Sequence, residues 1–249
     1  CTFSAAIASF LAKGENLERA VEKAERFIET SFRGALKVGS GRIPVNPMAF
    51  LYNKSERAEV IEQVEAAAGV IEENPRFLPF AAEVGTQIAM ALPFPRGHMD
   101  VAAIEGRMVK VKDKLRAVGS VKFGASRHMA NIILTVMKYD PEIRAAMNLH
   151  YDPRLIEVFR KTGCKVAEFK RSLEPAEIKR TEGKSLSWGT EEAIRKLGEV
   201  PDIIYDEGEI GKEPMIRVLG RDALEVVSKA LKAIEALSMN KKDQHIKKL

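Results

Sequence analysis

The stretch AVGSVKFGASRHMANIIL, residues 117–134, sets a glycine between a β-rich run and an apolar-periodic segment that opens at Ser126. A helix starting there leaves its first backbone N–H groups without intrahelical partners, and its dipole adds positive character at the same point. Gly124, Ala125, Ser126 and Arg127 would then seat a phosphate or pyrophosphate. An ordinary turn capped by Ser126 accounts for the same pattern without any ligand. His128 falls in the first helical turn, where a neutral ring that hydrogen-bonds a substrate suits the positive helix end. A surface histidine fits the local sequence equally well.

Other stretches offer polar chemistry. In DVAAIEGRMVKV, Arg107 follows a glycine turn near Asp100 and Glu105. Its planar guanidinium can grip phosphate at two points, although an exposed hairpin arginine has the same local signature. In YDEGEIGKEPMI, Asp206, Glu207, Glu209, Lys212 and Glu213 cluster between two strand-like runs, where a magnesium ion or a ligand amine could be held. A merely solvated loop reads the same way. Gly85, Thr86 and Gln87 open an apolar strand in AEVGTQIAMALP and either line a pocket or form a turn. The four histidines, His98, His128, His150 and His245, show no HxH or HxxxH spacing and no cysteine neighbour, which argues against zinc. Neither GxGxxG nor a Walker lysine is present.

The elements that must position these residues alternate. Helical spacing runs over 16–33, with Asn16 as N-cap and Gly34 as stop, and again over 55–73 with Val60, Ile61, Val64, Ala68 and Ile71 on one side. Strands are predicted at 86–91, 101–104, 107–111 and 116–123, with KDKL as the turn between the last two. Beyond them come helix 126–138, strand 147–151, helix 152–162, strand 165–169, helix 190–197, strands 202–205 and 215–219, and a closing helix over 221–237. This order implies a layered α/β fold with a largely buried sheet. The Gly/Pro-rich stretch GALKVGSGRIPVNP reads as a linker, dividing residues 1–46 from 47–249.

Composition narrows the class. Apolar residues make up 45% and charged residues 30%, as in soluble globular proteins, and no run approaches the roughly 20 apolar residues that span a bilayer. Two cysteines, Cys1 and Cys164, are too few for a disulfide framework, so a cytoplasmic location is the expectation. Abundant Lys and Glu beside scarce Gln is a thermophile-like balance. The net charge of +5 sits partly in the tail KKDQHIKKL, read as a solvated end. Without basic runs interleaved with aromatics, it favours small phosphorylated partners over nucleic acid.

Taken together, EVGTQIAMALP, DVAAIEGR, VGSVKFGASRHMA, RAAMNLHY, WGTEEAIRKLG and DIIYDEGEIGKEPMIRVLGRDA closely resemble the archaeal-type thiamine-phosphate synthase domain, often called ThiN, over residues of about 50–237. The resemblance implies a three-layer α/β/α sandwich of the kind shared with class II sugar-phosphate aldolases, whose metal-binding histidine cluster is missing here. It implies that hydroxymethylpyrimidine diphosphate is joined to hydroxyethylthiazole phosphate with release of pyrophosphate. The family's catalytic pair falls on Arg107 and His128. The candidate substrate- and phosphate-binding residues are Gly85, Thr86, Gln87, Gly124, Ala125, Ser126, Arg127, Asn148, Asp206 and Lys212. No resident cofactor is implied, beyond Mg2+ that could accompany the diphosphate. No membrane or nucleic-acid partner is expected, and homo-oligomerisation stays open.

The opening CTFSAAIASF lacks an initiator methionine and reads as a buried helix with no basic segment ahead of it. With the helix that follows, it resembles the last helices of a ribokinase-like hydroxymethylpyrimidine/phosphomethylpyrimidine kinase, in which a glycine-rich anion-hole motif ends in the cysteine matching Cys1. Residues 1–45 are therefore expected to be a kinase remnant without kinase activity. Related domains fused to helix-turn-helix segments sense thiamine phosphates, and that regulatory role is the alternative to catalysis. An inert oligomerisation module is the third reading.

Overall fold

The computed structural model of the chain describes residues 1–35, 40–181 and 183–246. An N-terminal helical hairpin, α1 (Thr2–Ala12) and α2 (Leu17–Arg33), leads to the long α3 (Met48–Glu73). Then come β1 (Ile88–Ala91), β2 (Val101–Ile104), the hairpin strands β3 (Met108–Val111) and β4 (Lys114–Ala117), and β5 (Val121–Phe123). The chain continues through α4 (Arg127–Val136), β6 (Ala145–His150), α5 (Pro153–Lys161), β7 (Val166–Glu168), the short α6 (Ala176–Lys179) and α7 (Lys184–Leu197). It closes with β8 (Ile203–Asp206), β9 (Met215–Gly220) and α8 (Ala223–Ile246).

Seven strands form one sheet in the order β5-β2-β1-β6-β9-β8-β7, antiparallel except for the β7–β8 pair. Alternation along each strand sorts its side chains between two cores. Ile88, Met90, Met147, Leu149, Ile216 and Val218 point to the face covered by α3, α5 and α8, where Val60, Val64, Phe159 and Val227 meet them. Ala89, Ala91, Ala103, Ala146 and Ile204 point to the other face, beneath Met129, Ile132 and Ile133 of α4 and Ala193 and Ile194 of α7. Small residues on that face let α4 and α7 approach the sheet closely. The result is the three-layer α/β/α sandwich expected from the sequence.

Several element assignments change. The run 116–123 is two strands, because Val118–Ser120 interrupts the ladder; β4 pairs with β3 while β5 pairs with β2 at the edge of the main sheet. The hairpin turn sits at Lys112, which has φ +55°, so Lys114 and Leu115 of the expected KDKL turn already belong to β4. Helix α7 starts at Lys184 instead of 190, α3 at Met48 instead of 55, and α8 runs on to Ile246. The opening helix is not buried: Ala6 is its one buried residue.

Helix α2 is capped by Asn16, which accepts from Arg19 N at 2.9 Å, and docks onto the start of α3. Phe27 meets Phe50 edge-on at 5.6 Å, and Asn46 donates to the Gly34 carbonyl at 3.0 Å. Gly34 lies so close to Ala49 that a Cβ would sit 2.3 Å from the alanine methyl. Within the expected linker, residues 40–47 carry no helix or strand, and residues 36–39 lie outside the described residues. Tail residues 247–249 lie outside them as well.

Candidate active site

On the α4/α7 face the sheet turns polar at one end. Gln87 precedes β1, Asn148 lies on β6, Arg217 on β9 and Asp206 at the end of β8. Asn148 and Arg217 are register partners, and Asn148 N donates to the Gln87 carbonyl at 3.2 Å. The N-termini of α4 and α7 reach the same end. Between them and the sheet opens a cleft of about 360 Å³, to which Arg107, Ser126, His128, Asn148, Arg171, Arg217 and Lys212 contribute polar walls. Met129, Ile132, Leu186 and Met215 contribute apolar ones. The cleft thus gathers side chains from segments about 130 residues apart in the chain.

Arg107 is not an exposed hairpin residue. It is half-buried, and its φ of +68° lies in the left-handed region that costs a non-glycine residue about 1 kcal/mol or more. The side chain packs over Gly85, where a Cβ would stand 3.2 Å from Arg107 Cβ, and its Nη1 donates to the Val84 carbonyl. Gly85 has φ +93°, so glycine is required there both for its backbone and for this close approach. Glu213 fixes the same strip from the other side, accepting from Glu83 N at 2.8 Å and Val84 N at 3.1 Å, with His150 Nδ1 at 3.3 Å.

Gln87 and Asn148 reach the cleft, yet their amides are taken up by backbone. Gln87 Nε2 donates to the Ile104 carbonyl at 2.8 Å while its Oε1 accepts from Ile88 N and Ile104 N. Asn148 Oδ1 accepts from Gln87 N at 2.6 Å, and its Nδ2 donates to the Gly85 carbonyl at 3.1 Å. Both residues brace the strip that carries Arg107. Thr86 is fully buried beneath it, its backbone bonded both ways to Met108 and its hydroxyl lacking a hydrogen-bond partner among the described residues.

At the start of α4, Ser126 caps as expected, accepting from Met129 N at 3.3 Å, and Gly124 makes the turn with φ +83°. Ser126 and the exposed His128 border the cleft, whereas Gly124, Ala125 and Arg127 do not line it. Gly183 and Ser185 bring the start of α7 to the cleft beside α4, whose Asn131 Nδ2 donates to the Gly183 carbonyl at 2.6 Å.

The acidic loop is rearranged relative to its expectation. Asp206 is not in a solvated loop but ends β8, fully buried, and accepts from Arg171 Nε, from Arg217 Nη1 at 2.7 Å and from Gly208 N at 3.0 Å. It therefore stands behind the cleft wall and holds two arginines in it. Burial pushes the Arg217 guanidinium down, against the pull of Asp206. Glu207 accepts from Tyr151, Glu209 pairs with Lys179, and Lys212 Nζ lies 3.4 Å from Glu174. Burial, helped by Glu207, pushes the Tyr151 phenol up to about 12. These carboxylates do not converge, and among the described residues no group of three or more His, Cys, Asp or Glu could hold a metal ion. Mg2+ does not fit as a protein-held ion here.

Arg171 and Arg217 escaped the sequence reading. The available signal was a charge inside an otherwise apolar strand, MIRVLG, opposite another in IIYD. A buried charge on one strand calls for a partner on the next.

Residues 63–232 match the family described as Thiamine-phosphate synthase ThiN, and residues 1–46 match that described as Phosphomethylpyrimidine kinase. The bifunctional thiamine biosynthesis protein ThiDN of Methanocaldococcus jannaschii is 45% identical over 92% of this chain, which spans 52% of that protein's length. The thiamine-phosphate synthase ThiN of Methanothermobacter thermautotrophicus is 38% identical over 74% of this chain and 96% of its own. A crystal structure titled as the C-terminal domain of phosphomethylpyrimidine kinase superposes with a TM-score of 0.68 at 42% identity, covering 72% of this chain and all of that one. None of the described helices is long and apolar enough to cross a membrane. By the extent of these matches, the chain belongs to the thiamine-phosphate synthase ThiN family.

Proposed function

We propose that the cleft joins hydroxymethylpyrimidine diphosphate to hydroxyethylthiazole phosphate, forming thiamine phosphate and pyrophosphate. The observation that carries this reading is the convergence of Arg107, His128 and the α4 N-terminus on one cleft walled by further cations. In the reaction the bond from the pyrimidine methylene carbon to the diphosphate oxygen breaks, and both electrons leave with pyrophosphate. The thiazole nitrogen then gives its lone pair to the methylene cation, forming the C–N bond and leaving the positive charge on the thiazolium.

The protein's share is to hold two anionic reactants in line and to meet charge where it appears. Arg107 neutralises the departing pyrophosphate, and the α4 N–H groups and His128 donate or position beside it. Backbone strain at Arg107, braced by Gly85, Asn148 and Glu213, fits a side chain fixed in advance for that role. Met129, Ile132 and Leu186 shield the ring-to-ring contact from water. Any Mg2+ arrives on the diphosphate, because the neighbouring carboxylates are taken up by protein donors. The Methanothermobacter relative carries a synthase name and the Methanocaldococcus one a biosynthesis name, which supports catalysis over a sensor role.

The test is to incubate the chain with both substrates and separate the products. Thiamine phosphate is expected from the pair and from neither substrate alone. Tight binding of both without product would favour the sensor.

A further inference from the structure

Arg171 and Arg217 share one carboxylate. Asp206 engages Nε and one Nη of Arg171 and one Nη of Arg217, so further N–H groups of both remain, and both residues line the cleft. The two guanidiniums thus face one carboxylate, Asp206, while Lys212 pairs with Glu174. Glu209 reaches Lys212 only at 4.0 Å and belongs to Lys179. Glu213 also lines the cleft, but its oxygens accept from Glu83 N and Val84 N and it forms no ion pair with either guanidinium or with Lys212. Arg217 is 2% exposed and Arg171 7%, so this positive excess is largely shielded from water. A buried charge without a counter-ion is costly, and an arriving anion relieves it.

Two further features suit an anion at the same wall. Helix α7 begins at Gly183 without a side-chain cap; Lys184 N bonds the Thr181 carbonyl at 3.3 Å, and the positive end of the helix dipole lies beside Ser185 on the cleft. Both guanidiniums lie 5.4 Å from the Phe169 ring, which is itself wedged against Gly189, where a Cβ would stand 2.5 Å from the ring. The pair is held in place by Asp206 on one side and the Phe169 ring on the other.

We infer that Arg171 and Arg217, with Lys212, form a second anion subsite that takes a phosphate monoester, separate from the seat at Arg107 and α4. Gln87, just before β1, and Arg217 on β9 are separated by two strand spacings, about 10 Å, across the floor of the cleft. Resting on the function proposed above, the occupant is the phosphate of the thiazole substrate. That group does not change in the reaction, and a rigid clamp suits a spectator anchor whose binding positions the reacting ring.

The test is calorimetric titration of the full chain with inorganic phosphate, which needs no turnover. Wild type should show two classes of site. Arg171→Gln leaves the Arg217–Asp206 pair neutral and intact, and should weaken one class at least tenfold without touching the class lost in Arg107→Ala. Lys212→Gln, at a half-exposed residue, should weaken that same class about threefold and covers the case in which Arg171→Gln fails to fold. Unchanged binding in Arg171→Gln, or in Lys212→Gln where that variant must stand in for it, overturns the subsite. So does weakening of the Arg107 class by either variant. Steady-state kinetics add the assignment: Arg171→Gln should raise KM for the thiazole phosphate tenfold or more and leave KM for the diphosphate within about twofold. The reverse pattern overturns the assignment. Loss of the phosphate class in a chain that makes no thiamine phosphate would sustain the subsite and sink the synthase reading.

Discussion

Glu213 and Arg107 are joined through a single residue, Val84, whose N–H donates to the Glu213 carboxylate and whose carbonyl accepts from Arg107 Nη1. A carboxylate on the loop between β8 and β9 thereby sets the reach of a guanidinium that follows β2. Glu213→Ala should lower kcat about tenfold by letting the 83–85 strip drift, in line with the sensitivity of catalysis to small misplacements. In an Arg107→Ala background the same change should cost little more, since coupled residues are not additive. Full additivity of the two losses would show that Glu213 acts elsewhere.

Arg107 separates side chain from backbone. Arg107→Ala should lower kcat/KM by roughly 10²-fold, the scale seen when one transition-state donor is removed. Arg107→Gly should be as inactive yet more stable than Arg107→Ala by about 1 kcal/mol, because glycine accepts a φ of +68° without strain. Equal melting temperatures for the two variants would remove the strain argument. Wild-type kinetics in either would remove the catalytic one.

The N-terminal hairpin packs far from the chemistry. Gly34 and Arg33 border a groove with Leu134 and Met137, at the end of α4 opposite His128, and the ten residues of α4 measure about 15 Å. Deleting residues 1–45 should leave kcat near that of the full chain. It uncovers Ala49 and Phe50, so a loss of about 1–2 kcal/mol is expected, at roughly 2–4 °C of melting temperature per kcal/mol. Activity falling with the deletion would tie the hairpin to the cleft.

Lys229 links the sheet to α8 by pairing with Asp202 and Glu225, each at 2.8 Å. Burial works against all three charges, but the mutual pairing prevails: both carboxyls sit below their ordinary range and the ammonium above its own. The carboxylate contribution is therefore present above their unfolded pKa values near 4 and lost as pH falls through the lower folded values. The lysine's is full below its unfolded value near 10.4 and lost as pH rises past the folded one. Lys229→Met should cost about 1 kcal/mol at neutral pH and flatten the acid limb of stability. An unchanged acid limb would contradict the pairing.

Strong local patterns were legible in the sequence. Asn16 and Ser126 cap the helices they were expected to cap, and Val60, Val64, Ala68 and Ile71 form the buried stripe of α3. Where local and long-range demands diverge, the sequence misleads. KSLSWG is a poor helix former by composition, and it is helical because Leu186 and Trp188 pack against the sheet-facing core. Val118 and Val121 flank the short Gly119–Ser120 interruption and hide the break between β4 and β5. Gln87 and Asn148 read as pocket residues because nothing local announces that their amides brace backbone strips from other elements. The Arg171–Asp206–Arg217 trio joins residues 35 and 11 positions apart, so no spacing rule within one element reveals it.

On the proposed mechanism, one cleft breaks a diphosphate ester only when a thiazole nitrogen is there to capture the carbon. Continuous measurement of pyrophosphate release from the full chain tests it most directly. The expected result is release that needs both substrates, matches thiamine phosphate one for one, and falls at least 10²-fold in Arg107→Ala. Release from the diphosphate alone at the same rate, or none with both substrates present, would contradict it.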